Sequence, residues 1–418
     1  MGSIPAFGTP NPTKKTLRKW TKLKSFKKND NIGNEVFKTS HSSLATSSLL
    51  FKKEAKKTRM NPKLPIFLCF LLSYTLHAQI GGDNTYEFLN LPQSARISAM
   101  GGLQIAIVDN DVNLANQNPA LYNPDMHHQF SVGTVAYLAN INYGNVSFAH
   151  NFDSLYTAGI HLQYINYGEF DQTDATGQII GSFAGGEYAL NIGLGQQKGR
   201  WSYGTNLKII QSAIAGYNSF GLAADIGGTY YNKESNFVAS LVVKNLGRQL
   251  TTYTPENIEP MPFDVQLGVS KRLKHLPFRY SITAHNLHRW DIRYEDPNQN
   301  ETNALFGDDT LQQKYIGDKI FRHLVFGGEF YFGKNVNVRL GYNHLRRQEL
   351  RLQNRGGLTG FSFGAAIHIK RFRIEYGRAN YHLAGGAHHL TVAINLNEMK
   401  SPLFNKNKKK PEEEDTEL

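Results

Sequence analysis

Fourteen short segments between residues 130 and 396 alternate apolar and polar side chains. In one of them, Leu190, Ile192 and Leu194 share a face, whereas Asn191 and Gly193 lie on the other. This period of two is typical of β-strands with one apolar face. The predicted strands are 130–138, 141–150, 156–166, 187–195, 201–211, 219–230, 236–244, 263–271, 278–287, 323–332, 335–343, 360–370, 372–380 and 388–396.

The connections between these predicted strands alternate in length. The even-numbered connections are all short: 151–155, 196–200, 231–235, 272–277, 333–334 and residue 371. The odd-numbered connections include the longest ones: 167–186, 245–262, 288–322 and 344–360. Short turns on one rim and long loops on the other are typical of outer-membrane barrels. The sequence therefore predicts an all-β transmembrane antiparallel barrel of about 14 strands over 130–397, with extracellular long loops and both mature termini in the periplasm.

A soluble sandwich has the same period, so the alternation alone leaves the solvent undecided. Two features favour lipid. The polar face is rich in small polar residues, and the apolar face carries Trp201, Tyr203, Phe330 and Phe332, which suit interfacial girdles. No apolar run after residue 78 reaches the roughly 18 residues of a membrane helix, so insertion must use strands.

The N-terminus predicts a removable leader. Residues 60–78 read as a signal peptide, with Lys63 as the positive end, Leu64 to Leu76 as the apolar stretch and Ala78 before the expected cleavage. Residues 1–59 would bury this signal inside the chain, so we expect translation to start at Met60 and interpret 1–59 as a spurious or disordered basic extension. The single cysteine, Cys69, lies inside the leader, which excludes disulfide and thiolate chemistry from the mature chain.

The net charge of +12 gives no evidence for nucleic-acid binding. Residues 1–59 contain 14 Lys or Arg and 3 Asp or Glu, whereas residues 79–418 contain 31 of each class. A basic arm that binds phosphates is the alternative for 1–59, but the mature chain is formally neutral. The charged tail, 398–418, is expected to be a solvated periplasmic segment.

Residues 79–129 separate the leader from the first predicted strand. Pro92 can begin a short helix from about Gln93 to Met100, which Gly101-Gly102 would end. The segment is too polar to lie in lipid. We therefore expect a helical or irregular plug inside the lumen, with the Asn118-Pro119-Ala120 turn leading into the wall.

This leader-to-barrel segment resembles a known family. The motif residues are Tyr86, Glu87, Phe88, Leu89, Pro92, Ser94, Ala95, Arg96, Gly101 and Gly102, with Asn118, Pro119 and Ala120 from NPALYNP. With the strand pattern, residues 60–400 resemble the PorV/PorQ family, a branch of the FadL-like outer-membrane barrels found with the type IX secretion system of Bacteroidetes. Residues 1–59 have no counterpart in that family.

The resemblance implies a fourteen-strand barrel with an N-terminal plug. It also implies membership in a cell-surface attachment complex that links secreted cargo to lipopolysaccharide. The implied partners are the sortase PorU, the barrel PorV and a PorZ-like surface protein that this barrel would anchor, besides outer-membrane lipid and lipopolysaccharide.

The chain contains short motifs that resemble catalytic or metal-binding ones, but each lacks the neighbouring residues or elements that its chemistry requires. We therefore predict no enzyme activity, no cofactor and no metal. Gly328 to Lys334 spells G-x-x-x-x-G-K, but Asn335 replaces Ser or Thr and no helix follows to bind phosphate. The pairs His127-His128 and His388-His389, and His382, are interpreted as lumen or rim polarity, since adjacent histidines in a strand point to opposite faces. Asp109 to Asp111 is interpreted as a solvated turn rather than a calcium loop.

Two functions from different classes remain open. The first is a structural anchor whose outward loops, such as Glu295 to Arg322, bind a surface protein. The second is a FadL-like conduit for hydrophobic small molecules, which needs an apolar lumenal pocket and a displaceable plug. The plug motif favours the anchor.

Overall fold

The computed structural model describes residues 84–152, 156–255, 257–293, 316–351, 357–382 and 385–397. In these ranges, fourteen antiparallel strands form one closed barrel, and each strand pairs with its neighbours in the sequence. The strands are Gln129–Ala136 (β1), Asn142–Asn151 (β2), Tyr156–Thr173 (β3), Ile179–Lys198 (β4), Trp201–Ile214 (β5), Tyr217–Asn232 (β6), Phe237–Thr251 (β7), Asp264–Arg272 (β8), Phe278–Ala284 (β9), Leu324–Phe332 (β10), Val336–Asn343 (β11), Phe361–Ile369 (β12), Phe372–His382 (β13) and Gly385–Asn395 (β14).

The barrel closes where the first strand meets the last. β1 pairs with β14 over eight residues, from Gln129 opposite Asn395 to Ala136 opposite His388. Closure gives every strand two partners, which removes the free sheet edges that lipid could not satisfy. The predicted fold class, including the number of strands, is confirmed.

The wall has one apolar face and one polar face, as the alternation predicts. Leu267 points outward and is 48% exposed, whereas its neighbour Gln266 points into the lumen and is 2% exposed. Outward apolar side chains recur around the barrel: Leu162, Ile192, Leu207, Ile226, Leu241, Leu340, Phe363, Ile374 and Leu390. An exposed apolar surface of this extent suits hydrocarbon rather than water.

The two rims of the barrel differ. We call one the short-turn rim, because its described turns span only residues 199–200, 233–236, 273–277, 333–335 and 370–371. Aromatic side chains ring it on the outside: Trp201 packs against Tyr230 at 5.0 Å between ring centroids, and Phe330 packs against Phe278 at 4.4 Å. The opposite end, which we call the long-loop rim, carries two short helices, Ile316–Arg322 (α3) and His344–Leu350 (α4).

The predicted loop over 167–186 is wrong, because most of it is strand. β3 and β4 continue as a paired hairpin through Phe170 opposite Phe183, and only residues 174–178 form the turn. Residues 169–184, which we call the ribbon, extend beyond the neighbouring strands, since the β4–β5 pairing ends at Gly185 opposite Ile214. Both faces of the ribbon meet solvent, so its sequence lacks the alternation that reveals the other strands. β7 likewise continues to Thr251, into the predicted loop 245–262.

Residues 84–128, which we call the plug, lie inside the barrel. They contain two short helices, Ala95–Ala99 (α1) and Val112–Gln117 (α2), and 3₁₀ turns at Glu87–Asn90, Pro119–Leu121 and Pro124–Met126. None of the helices in the described ranges is long and apolar enough to cross a membrane. The predicted extension 1–59, signal peptide 60–78 and tail 398–418 lie outside the described residues.

Candidate functional site: the plug and its ion-pair network

The motif residues form the first half of the plug, on and around α1. Ser94 is the N-cap residue, and its side chain accepts a hydrogen bond from the backbone N–H of Ile97 at 3.3 Å. The helix is therefore shorter than the predicted 93–100, since the cap fixes its start at Ala95. Gly101 and Gly102 follow it with φ values of +96° and +99°, a conformation that favours glycine.

Glycines in the wall let the plug backbone approach closely. A Cβ atom built on Gly341 of β11 would lie 2.1 Å from the backbone nitrogen of Gly101. A Cβ atom on Gly204 of β5 would lie 2.2 Å from the carbonyl oxygen of Pro119. These positions exclude any side chain, so the polar, glycine-rich lumenal face is a docking surface for a backbone.

Hydrogen bonds with hydroxyl groups of the lumenal face hold the plug backbone in place. Thr391 accepts from the N–H of Ala95 at 2.9 Å, and Ser362 accepts from the N–H of Gly101 at 3.0 Å. Ser270 donates to the carbonyl of Ala106 at 2.5 Å. These bonds satisfy buried backbone groups that helix and strand pairing leave open.

Arg96 of α1 is the centre of a buried ion-pair network. Its guanidinium lies 2.7 Å from Asp109, 3.3 Å from Asp111 and 3.0 Å from Glu329 of β10. The side chain of Arg96 is only 4% exposed. One residue of α1 thus joins a later segment of the plug and the wall.

The wall completes this network on neighbouring strands. Arg339 of β11 lies between Glu329, at 2.8 Å, and Glu375 of β13, at 2.9 Å. Arg373 pairs with Asp111 at 2.9 Å, and Arg279 pairs with Asp109 at 3.3 Å. The described network therefore contains four arginines and four carboxylates: Arg96, Arg279, Arg339, Arg373, Asp109, Asp111, Glu329 and Glu375.

The balance of charge makes the network stable inside the barrel. Buried charges are costly unless each is paired, and this set pairs every charge with at least one opposite charge. Burial alone raises the pKa of Asp109, but the guanidinium groups of Arg96 and Arg279 hold that pKa well below its usual range. The prediction of a solvated turn at Asp109 to Asp111 is wrong for Asp111, which is fully buried against Arg96 and Arg373, whereas Asn110 is exposed and Asp109 is 26% exposed.

The second half of the plug packs against β4, β5 and β6. The amide of Asn118 donates to the carbonyl of Ile105 at 2.7 Å and to Thr229 at 3.0 Å, and its oxygen accepts from the N–H of Ala120. The Asn118-Pro119-Ala120 turn thus lies deep in the lumen and does not lead directly into the wall. β1 begins only after the further turn Pro124–Met126.

An apolar cluster fills the lumen towards the long-loop rim. Tyr86, Phe88 and Leu89 of the motif pack with wall residues that include Tyr143 and Ile165. The hydroxyl of Tyr86 also hydrogen-bonds to Ser219. The motif thus supplies plug residues to both the apolar cluster and, through Arg96, the ion-pair network.

Two cavities flank the plug segment 103–108. One, of about 370 Å³, lies towards the long-loop rim and is lined in part by Leu103, Gln266 and His285. The other, of about 520 Å³, lies towards the short-turn rim and is lined in part by Val108 and Arg279. Between them, Ile105 packs on Gly268 and Ala106 bonds to Ser270, so the segment separates the cavities.

The histidine pairs differ in arrangement. His388 and His389 of β14 point to opposite faces, as the strand period predicts. His127 and His128 lie outside any strand, and their rings stack at 3.8 Å between centroids. The argument that adjacent histidines diverge is therefore wrong for this pair, because His128 adopts a φ of +58°. Gly328–Phe332 lies in β10 and residues 333–334 in a turn, so the phosphate-loop pattern lacks the helix it needs.

Sequence reasoning missed the wall half of the network. Glu329, Arg339, Arg373 and Glu375 all occupy lumen-facing strand positions. Charged residues at such positions are a detectable signal, but their pairing depends on which strands become neighbours around the barrel and on how deep Arg96 reaches.

No family model and no curated relative matches the sequence. Among solved structures, the chain is similar to the toluene transporter TbuX of Ralstonia pickettii, at 11% identity and a TM-score of 0.45 over 73% of this chain and 98% of that one. It is similar to the toluene transporter TodX of Pseudomonas putida, at 14% identity and a TM-score of 0.44 over 73% and 99%. A Pseudomonas aeruginosa FadL homologue matches at 10% identity and a TM-score of 0.42 over 72% and 98%. The barrel assignment itself rests on the strand pairing of this chain.

Proposed function

We propose that this protein is a plugged, non-enzymatic outer-membrane barrel that anchors a partner protein at the cell surface. The short-turn rim then faces the periplasm and the long-loop rim faces outward, as in other barrels of this kind. The partner implied by the family resemblance is a PorZ-like surface protein of the type IX attachment complex, with PorU, PorV and lipopolysaccharide in the same assembly.

The ribbon carries this proposal. Ile179 and Ile180 are 67% and 62% exposed, and the ring of Phe170 stacks on Phe183 at 5.4 Å between centroids. The paired part of the ribbon extends roughly 20 Å past Gly185, given about 3.4 Å per residue over the six positions to Ile179. Exposed aliphatic and aromatic side chains beyond the membrane are typical of protein interaction sites. The predicted contact loop, Glu295 to Arg322, lies largely outside the described residues, which include only Ile316–Arg322 at its end.

The plug supports the anchor in a second way. Hydrogen bonds and the ion pairs of Arg96, Arg279 and Arg373 fix the plug to the wall, and the apolar cluster around Tyr86 and Phe88 adds packing. A barrel with a fixed plug provides a rigid base for a partner without opening a path through the membrane.

A conduit for hydrophobic small molecules is the second candidate, and the two cavities favour it. They lie on the same β8–β9 side of the lumen, separated only by residues 103–108. Displacement of this segment would join them into one path. Two of the solved structures with a similar fold are toluene transporters.

Shortening the ribbon tests the anchor. Replacing residues 170–183 by an Asn-Gly turn keeps the pairing of Glu169 with Ala184 and removes the apolar tip. We expect affinity purification from outer membranes to lose the surface partner while the barrel stays folded. The control replaces only residues 174–178, which leaves Phe170 and Ile180 in place and should retain the partner. Unchanged recovery with the shortened ribbon would contradict the proposal.

Uptake of a hydrophobic dye by vesicles tests the conduit. If the chain is a conduit, vesicles with the intact barrel take up N-phenyl-1-naphthylamine faster than empty vesicles. Equal rates would contradict the conduit and leave the anchor unaffected.

A further inference from the structure

Three histidine rings meet at the short-turn rim, where the chain enters the barrel. His127 and His128 follow the 3₁₀ turn Pro124–Met126, and His150 lies near the end of β2. The ring of His150 is 4.8 Å from that of His127 and 4.9 Å from that of His128, between centroids. One ring nitrogen from each histidine lies within 4.8 Å of the other two.

We propose that His127, His128 and His150 bind a divalent transition-metal ion, with Zn²⁺ as the probe of choice. Three neutral imidazoles suit zinc, copper and nickel, whereas calcium and magnesium prefer oxygen ligands. Three protein ligands leave a fourth position to water, as in open zinc sites.

The backbone of His128 brings the rings together. Its φ of +58° is an uncommon conformation for a residue other than glycine. In an extended chain the two adjacent side chains would diverge, but here both rings turn towards β2. Uncommon backbone conformations tend to occur at functional sites, where the surrounding structure supports them.

Asn397 orients His128 for metal binding. The Nδ1 atom of His128 lies 2.5 Å from the side-chain oxygen of Asn397, which follows β14. When Nδ1 donates its proton to that oxygen, Nε2 keeps a free lone pair. Such a hydrogen bond to the second ring nitrogen is a regular feature of metal-binding histidines.

His127 needs a rearrangement before it can bind. Its Nδ1 atom accepts a hydrogen bond from the N–H of Asn151 at 3.1 Å, which leaves the proton on Nε2. A half-turn of the ring about the Cβ–Cγ bond gives up this bond and allows Nδ1 to carry the proton. Nε2 then becomes a ligand. The nitrogen atoms must also approach to about 3.3 Å, the spacing that tetrahedral zinc–nitrogen bonds of about 2.0 Å require.

A metal at this position would join three parts of the barrel. His127 and His128 precede β1, His150 belongs to β2, and Asn397 follows β14, which pairs with β1. The ion would therefore link the start of β1 to β2, and the hydrogen bond from His128 to Asn397 would extend this link across the seam to β14. Since the site exists only in the folded barrel, bound metal should stabilise that state.

Titration calorimetry on the barrel purified in detergent without a polyhistidine tag tests this site. We expect one Zn²⁺ per chain, and His150→Ala should weaken binding at least about 10-fold, since even the loss of an outer-shell partner weakens metal binding by 10- to 100-fold. His275→Ala is the control, because His275 is exposed in the 273–277 turn of the same rim and outside the cluster. His150→Gln, which keeps a polar side chain, should weaken binding to the same extent as His150→Ala.

Two further measurements keep the result interpretable. Heat-modified mobility on gels shows whether each variant is folded, and Zn²⁺ should raise the transition temperature of the wild type but not of His150→Gln. Cu²⁺ bound to the wild type should show coupling to three nitrogens by electron paramagnetic resonance, and to two in His150→Gln. Absence of saturable one-to-one binding, or equal affinity in the wild type and a folded His150→Gln, would overturn the proposal.

Discussion

At the scale of single residues, the direction in which a strand side chain points determines what a substitution costs. Leu267 and Gln266 are adjacent on β8, yet one faces outward and the other lines the lumenal cavity beside Asp264. The same change at these two positions therefore tests whether hydrocarbon surrounds the barrel.

Leu267→Arg should destabilise the barrel in a bilayer by about 2 to 4 kcal/mol, the range for a cation near the membrane midplane. Gln266→Arg places its charge in a polar cavity near a carboxylate, so we expect a much smaller loss. Urea unfolding in lipid vesicles measures both free energies. Equal losses would reject the assignment of the two faces.

Arg96 takes part in three ion pairs, two within the plug and one to the wall. Arg96→Ala leaves Asp109, Asp111 and Glu329 without their shared guanidinium, and removing one partner of a buried ion pair costs about 3 to 5 kcal/mol. We expect a lower urea midpoint and protease cleavage within the plug.

The matched control for this variant is Arg200→Ala. Arg200 pairs with Glu234 at 3.1 Å, but both side chains are more than half exposed, so the loss should stay within about 1 kcal/mol. A similar midpoint for the two variants would show that the buried network contributes little.

At the scale of elements, we expect the barrel wall to remain folded when the plug is absent. Without the plug, Glu329, Arg339, Arg373 and Glu375 still pair with one another across β10, β11 and β13. The wall therefore keeps its backbone pairing and part of its charge balance when the plug is removed.

Deleting residues 84–121 should leave a folded barrel with a water-filled lumen. We expect stable conductance steps in planar bilayers, whereas the intact barrel should conduct little because the plug fills the lumen. The ribbon-shortened variant is the control and should stay closed. Equal conductance of the intact and deleted forms would contradict the view that the plug closes the barrel.

At the scale of the whole molecule, the network predicts the acid sensitivity of the closed state. Since the folded state holds the pKa of Asp109 below its usual value near 3.9, ionised Asp109 stabilises the closed form above about pH 4. That contribution is lost only as the pH falls through the lower, folded-state pKa.

We therefore expect the intact barrel to stay closed between pH 8 and about pH 5 and to open only in stronger acid. Bilayer conductance against pH measures this. Asp109→Asn removes the titrating group, so its closed state should be weaker at neutral pH and less sensitive to acid. Opening of the wild type between about pH 5 and pH 7 would contradict the assignment of Asp109.

The sequence alone determined the barrel. The alternation of apolar and polar residues depends on local strand geometry and on the solvent that each face meets. The alternation of short and long connections depends on which rim each one lies at. Both patterns predict fourteen strands and their two faces without any knowledge of tertiary contacts. The ribbon was not predicted as strand, because apolar and polar residues need not alternate in a strand that meets solvent on both faces. Its pairing is visible only in the register of β3 with β4.

Only the tertiary structure decided what the plug residues do. The motif marks Arg96 and Ser94, but nothing local shows that Arg96 meets Glu329, more than 200 positions along the chain. Similarly, His127 and His128 meet His150 because one residue has a left-handed backbone and β1 pairs with β2. Long-range pairing of charges and ligands depends on barrel closure and on strand register, which a linear pattern does not contain.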